Sequence, residues 1–184
     1  VKLAVALVHH PVLDGQGAIV TTAVTNLDVH DLSRSARTYD CSDYFIAHPI
    51  AAQRELVERI RTHWIEGSSG RRIPDRREAL GLLRVVASLD EAIEALGGRD
   101  EVEVWVTAAR RHGTPLSFND ARERLARITK PVLLVFGTGW GLAQSVLEQS
   151  DARLEPISAA NGTYNHLSVR AACAIALDRL LGAR

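Results

Sequence analysis

Lysine is almost missing from this chain of 184 residues: Lys2 and Lys130 stand against 20 arginines. The planar guanidinium binds phosphate through paired hydrogen bonds, so the bias suits a phosphate-binding surface, and it equally suits an arginine-rich genome. Net charge is missing too. Basic and acidic side chains number 22 each, which excludes a protein that holds nucleic acid by bulk charge; such a partner has to be met by a local patch. No apolar run reaches the roughly 18 residues of a membrane-spanning helix, so no membrane partner is expected. The two cysteines, Cys41 and Cys173, are far apart and lack metal-ligand spacing. With no signal-peptide pattern before the first strand-like run, they point to a reducing, cytoplasmic compartment. The seven histidines show no metal-site pairing either, and no metal is expected.

What is present is the composition of a folded domain. With 46% apolar and 24% charged residues, the bulk of the chain is not disordered, and its length predicts one domain over 1–184. Lys2-Leu-Ala-Val-Ala-Leu-Val-His9 reads as a strand buried on both faces. A helix is expected from about Val29 to Tyr39, with Asp28 as its cap. Tyr44-Phe-Ile-Ala47 is a short strand. The next helix places Ala52, Leu56, Val57, Ile60 and Trp64 on one face. Residues 66–77, with Gly, Ser and Pro, read as a surface loop. Leu82–Ala87, Glu101–Thr107 and Pro131–Phe136 are strands, and Ser88 and Ser117 cap the helices that follow two strand-rich stretches. Helices are also expected over Gly141–Gln149 and Leu167–Leu181. Strands alternate with helices throughout, the pattern of an α/β domain with a mainly parallel sheet and helices on both faces.

Three segments carry candidate chemistry. Phe136-Gly-Thr-Gly-Trp-Gly-Leu142 follows a buried strand; its alternating glycines allow close backbone approach to a ligand. The spacing fails the dinucleotide fingerprint, although Glu155 lies 16 residues past Gly139, near the place of a ribose-binding acid. Tyr164-Asn-His-Leu-Ser-Val-Arg170 leads into a small-residue helix. Leu27–Tyr39 carries Arg34 and Arg37 one turn apart beside Ser35 and Ala36.

In this order, these segments resemble the knotted SPOUT class of RNA methyltransferases. Leu7-Val-His9, Thr21-Thr-Ala-Val-Thr-Asn-Leu-Asp28 and Ala51-Ala-Gln-Arg-Glu-Leu-Val57 extend the likeness over essentially the whole chain, to one bacterial family of S-adenosylmethionine-dependent RNA methyltransferases. Arg34-Ser35-Ala36 and Tyr39 match the first motif of the class, with Asp28 in place of its Asn and His30 in place of its Gly. Gly137, Gly139, Gly141 and Leu142 match the second. Pro156, Ile157, Ser168 and Val169 match the third, with His166 where Asn is usual.

The resemblance implies a C-terminal deep trefoil knot over about residues 131–184. It implies S-adenosylmethionine held near Thr107, Phe136, Gly137, Thr138, Gly139, Trp140, Gly141 and Leu142, with Leu154, Glu155, Pro156, Ile157, Asn165, His166, Leu167 and Ser168. S-adenosylhomocysteine is the implied product. Arg34, Asp28 and His30 are the implied catalytic candidates, and Arg34, Arg37, Arg71, Arg72, Arg76 and Arg77 the phosphate contacts. The implied partners are an RNA substrate (tRNA or rRNA) and a second copy of the chain, whose two-fold interface forms the active site; DNA is not among them. Two other readings stay open. The glycine loop with Glu155 allows a nucleotide-binding oxidoreductase, and the departures at Asp28, His30 and His166 allow a catalytically idle RNA-binding dimer.

Overall fold

Leu3–Val8 forms strand β1, and all of its side chains are buried. In the computed structural model, which describes residues 2–110 and 113–183, β1 leads to a small hairpin of β2 (Val12–Leu13) and β3 (Ile19–Val20). There follow α1 (Asn26–Thr38), β4 (Tyr44–Ala47), α2 (Ala51–Glu66), α3 (Ser68–Arg72), α4 (Pro74–Gly81), β5 (Leu83–Val86) and α5 (Leu89–Ala95). The second half supplies β6 (Glu103–Val106), α6 (Phe118–Arg127), β7 (Val132–Gly137), α7 (Gln144–Glu148), β8 (Ala152–Arg153) and α8 (Val169–Leu181).

The main sheet has the order β5-β4-β1-β7-β6-β8, and each pairing in it is parallel. The expected α/β architecture is therefore present. Alternate residues of β1 face two separate cores. Leu3, Val5 and Leu7 join α1, α6 and α8 residues on one face. Ala4, Ala6 and Val8 join Ile93 of α5 and Val146 and Leu147 of α7 on the other. Two covered faces explain why β1 and β7 are continuous apolar runs rather than alternating ones. After β8, at the edge of the sheet, the chain returns to pack α8 against α1, α6 and β7.

Several local expectations change. The cap of α1 is Thr25, whose hydroxyl accepts from the Asp28 amide at 3.2 Å; Asp28 lies inside the first turn, where its charge opposes the helix dipole favourably. The Gly141–Gln149 stretch is helical over Gln144–Glu148, because the Gly141 carbonyl and the Ala143 amide bond to Leu13 and Pro11 instead. Residues 66–77 form α3 and the start of α4 rather than a loop. Pro74 sits at the first turn of α4, where its missing N–H has no cost. Gly70 is buried so tightly that a Cβ would collide with the Trp64 carbonyl. The face assigned to α2 buries Val57 completely but leaves Ala52 and Leu56 exposed. Ser88 and Ser117 cap α5 and α6 as expected, accepting from Glu91 at 3.2 Å and Asp120 at 3.1 Å. Cys41 and Cys173 are both free and buried.

Leu134, at the centre of the sheet, has no exposed surface. Leu134→Ala is expected to lower unfolding free energy by about 2–5 kcal/mol, read as a lower urea midpoint with an unchanged slope.

Candidate functional site

Ligands of open parallel sheets gather beyond the carboxyl ends of the strands, where the connecting loops diverge. Here β1, β4, β6 and β7 run straight into His9, His48, Thr107 and Thr138. Thr107 donates its hydroxyl to the Val135 carbonyl at 3.0 Å, tying the end of β6 to β7. The Thr138 hydroxyl lies 3.3 Å from the Val8 carbonyl and forms a short hydroxyl–hydroxyl hydrogen bond with Thr22. The Thr22 amide donates to the His9 carbonyl at 3.0 Å, and its own carbonyl accepts from His48 Nε2 at 2.8 Å. The Ile50 amide donates to His48 Nδ1 at 3.2 Å, so that ring is held in one neutral tautomer. The 21–25 segment is thereby fastened over the strand ends.

The glycine loop wraps the β2–β3 hairpin. Gly139 has φ +60, and a Cβ there would sit 2.8 Å from the Leu13 carbonyl. That same carbonyl accepts from the Trp140 amide at 2.9 Å, and the Leu13 amide donates to Gly141 at 2.9 Å. A Cβ on Gly137 would lie 2.8 Å from the Leu142 amide. Close approach at these two positions is to the protein's own backbone, a different cause from the ligand approach their spacing suggests. Gly141, with φ +110, faces open space: a Cβ would meet nothing within 4 Å. Trp140 stands beside it, 59% exposed.

The turn before α8 reaches the same place. Ser168 caps α8, accepting from the Ala171 amide at 3.2 Å. The His166 ring lies 5.5 Å from Trp140 and Tyr164 lies 6.4 Å from His166. Asn165 donates its side-chain amide to the Ala109 carbonyl at 2.9 Å, just past β6. Leu167 and Tyr164 are exposed. Three loops, after β6, after β7 and before α8, therefore meet around Trp140.

The structure does not present every predicted contact at this meeting of loops. The side chains of Phe136, Leu142 and Leu154 are buried in the cores, which leaves only their backbones for a ligand. Pro156 and Ile157 are half-buried, with Ile157 packed on the first core. Glu155 accepts from the Phe118 amide at 2.9 Å. One oxygen of its carboxylate thus serves the first turn of α6.

A charged cluster joins α1 to α8. Arg170 Nε is 4.0 Å from Asp28 and 3.9 Å from Asp31, while Arg34 is 3.9 Å from Asp31. These are ion-pair separations too long for hydrogen bonds. Asp28 is buried, and the Arg34 side chain is 59% exposed. His30 turns away from Asp28, edge-on to Trp64 at 5.4 Å. Burial, and then the charge of Arg76, hold its pKa below the usual histidine value. Arg37 braces α1 to α4 through Glu78 at 2.5 Å and also meets Asp40 at 3.3 Å. Among the described residues, Arg71 and Arg72 make only long contacts, to the Glu66 carbonyl and the Ser69 hydroxyl, both at 3.4 Å. Arg76 lies over the Trp64 ring at 5.1 Å, and Arg77 is exposed. Thr22, His48 and Arg170 were not singled out from the sequence as site residues. Arg170 had a signal, since it follows the capping Ser168 by two residues, and Thr22 lay in the Thr21–Asp28 stretch that carries the family likeness; His48 had none, being joined to the site by contacts remote in sequence.

A family model described as SAM-dependent RNA methyltransferase matches residues 2–182. The tRNA (guanine-N(1)-)-methyltransferase of Nitratidesulfovibrio vulgaris is 45% identical over 98% of this chain, which spans 42% of that protein's length. Among solved structures, TrmJ from Z. mobilis superposes with a TM-score of 0.65 at 14% identity, covering 100% of this chain and 70% of its own. The SpoU methyltransferase AviRb from Streptomyces viridochromogenes, solved with AdoMet, gives 0.56 at 14% identity, over 98% and 57%. At such identities the likeness is one of fold: this α/β chain folds as those methyltransferases do.

His9 supplies a pH test of this end of the sheet. It has no exposed surface, neither ring nitrogen makes a hydrogen bond within normal geometry among the described residues, and its ring lies 5.1 Å from His48. Burial, with the neighbouring His48, lowers its pKa to about 4. Between that value and the ordinary 6.5 the unfolded chain binds the extra proton, so stability is complete above about pH 6.5 and falls as pH drops toward 4. The expected loss is about 3 kcal/mol. Urea unfolding at pH 7.5 and 4.5 checks it, with His9→Phe expected to remove most of this pH dependence.

Proposed function

The chain belongs to the family of SAM-dependent RNA methyltransferases, and from that premise we propose that it transfers a methyl group from S-adenosylmethionine to a nucleoside of RNA. The observation that carries the reading is the meeting of the three loops around Trp140 at the carboxyl end of the sheet. The residues there suit an adenosine-bearing group. Gly141 leaves backbone open to close approach, while Trp140, Leu167 and Tyr164 offer exposed apolar surface.

When bound, S-adenosylmethionine supplies an electrophilic methyl on its sulfonium, whose sulfur keeps the bonding electron pair and becomes the thioether of S-adenosylhomocysteine. The protein's task is alignment of the acceptor with that bond, which alone supplies several kcal/mol. Thr138 and Thr22 fix the loop against the strand ends. Residues Phe136–Leu142, Leu154–Ile157, Asn165–Ser168 and Thr107 form the cofactor's surroundings, largely through backbone. Arg34, exposed and held near Asp31, favours negative charge developing on the acceptor or holds an adjacent phosphate. Asp28, buried beside Arg170, positions that cluster. Neutral His30, facing Trp64, serves the RNA side of the same helix.

The remaining features belong to this proposal. The chain acts as one domain and works in the cytoplasm. The insertion of β7 between β1 and β6, with α8 returning beneath it, supports a trefoil knot over residues 131–184. Ala171, Ala172, Ala174 and Ile175 of α8 stay only half-buried in one copy, which supports a homodimer closing over that helix. The named relative makes tRNA the first acceptor to test. Because this chain spans less than half of that protein, guanine N1 is not carried over as the target atom.

The test is incubation with undermodified tRNA and labelled S-adenosylmethionine, with calorimetry against S-adenosylhomocysteine. Wild type is expected to transfer label and bind the thioether. Arg34→Ala is expected to lower turnover about 100–1,000-fold while keeping thioether affinity. Gly139→Val, which drives a side chain into the Leu13 carbonyl, is expected to lose thioether binding. Failure of wild type to bind the thioether, with NAD bound instead, overturns the proposal in favour of an oxidoreductase.

A further inference from the structure

We infer that the cleft between α1, α2 and α4 is a binding site for an unpaired nucleotide of the RNA, next to the one that is methylated. The inference rests on the RNA methyltransferase reading and extends it to how the acceptor strand is gripped. The cleft has a volume of about 660 Å³, within the range of sites that enclose a small ligand. Its walls include Leu27, His30, Asp31, Arg59, Trp64 and Arg76.

The cleft brings two free guanidinium groups to one place. Arg34, Arg37 and Arg61 all have carboxylate partners. Among the described residues, Arg59 and Arg76 have none, and Arg76 Nε is buried without any hydrogen-bond partner. The Arg76 guanidinium is instead held 5.1 Å over the Trp64 ring. His30 Nδ1, on the opposite wall, is likewise buried and unpartnered. Two unpaired cations and a buried imidazole nitrogen call for an anionic, hydrogen-bonding occupant. Leu27, 59% exposed, and the Trp64 ring with Arg76 beside it call for a flat apolar one.

A nucleotide meets both demands. Unstacked bases are taken up on aromatic rings and guanidinium planes, while the phosphate is met by arginine. A duplex does not fit, because its bases are stacked on one another and a single recess admits only one that is splayed out. The wider setting agrees: residues 59–77 hold six arginines against Glu66 and Asp75. The cleft also adjoins the charged cluster, since Asp31 lines it and contacts both Arg34 and Arg170.

The test uses the full chain and a fluorescein-labelled single-stranded oligoribonucleotide of twelve residues, followed by anisotropy. In the doubly substituted Arg59→Gln, Arg76→Gln protein, affinity is expected to fall at least tenfold. The log–log salt slope is expected to drop by about one to two. Binding of S-adenosylhomocysteine should be unchanged, which shows the fold is intact. An RNA duplex of the same sequence should compete poorly with wild type. Unchanged oligonucleotide affinity in the double variant overturns the inference, as does equal competition by the duplex. A shift of the variant from dimer to monomer in sedimentation also overturns it, making the cleft a subunit contact. The two readings fail separately. A wild type that methylates RNA while the cleft variant binds and methylates equally well sinks only the cleft. A wild type that binds the oligonucleotide through the cleft but not the thioether sinks only the methyl transfer.

Discussion

The insertion of β7 between β1 and β6 is the constraint on which the site depends. A buried parallel strand needs hydrogen-bond partners on both edges, and β7 finds them in register with Leu3–Val8 on one side and Glu103–Val106 on the other. β1 is thereby locked between β4 and β7, and elements from the two ends of the chain are joined at the centre of the sheet. All the strand ends then point one way. The loops after β6 and β7, the 21–25 segment and the turn before α8 are delivered to a single edge, where Thr22 bonds to Thr138 and His166 lies against Trp140. These segments are separated along the chain, and the sheet makes them neighbours in space.

The same arrangement separates two kinds of chemistry. The loops around Trp140 bring together glycine, apolar side chains and backbone, with little charge. The charged groups gather on α1 and the first turn of α8, where Asp28 and Asp31 face Arg34 and Arg170. A chain with zero formal charge can still meet a polyanion, because arginines concentrate locally over residues 59–77. Many of the remaining surface arginines are neutralised nearby, as Arg99 is by Asp151 at 2.7 Å and Arg124 by Glu103 at 2.6 Å.

What was legible in the sequence follows from how local each interaction is. β1 and β7 are readable because burial on both faces demands unbroken apolar residues. Ser88 and Ser117 are readable because a cap acts within one turn of its own helix. Asp28 misled, since an acid in a first turn and an acid at the cap look alike, and Thr25 took the capping role. α7 was readable as a helix but not its late start, because the Gly141 carbonyl and Ala143 amide are claimed by a hairpin about 130 residues away in the chain. Glu155 lay near the spacing of a ribose ligand, yet its partner is the amide of Phe118. Residues 66–77 looked like a loop because glycine and proline break helices in isolation, whereas here Gly70 is packed against Trp64 and Pro74 opens α4. The three segments were readable from their own residues, the likeness to a methyltransferase family tied them to one function, and tertiary contacts brought Thr22 and His48 to them and set Arg170 against α1.

The central claim is that the loops around Trp140 hold the adenosine of the methyl donor. A crystal structure of the chain with S-adenosylhomocysteine tests it most directly. The account predicts the adenosine between residues 136–142 and 164–168, close to Gly141. Density for the thioether in the α1–α2–α4 cleft instead, or anywhere away from those loops, would contradict it.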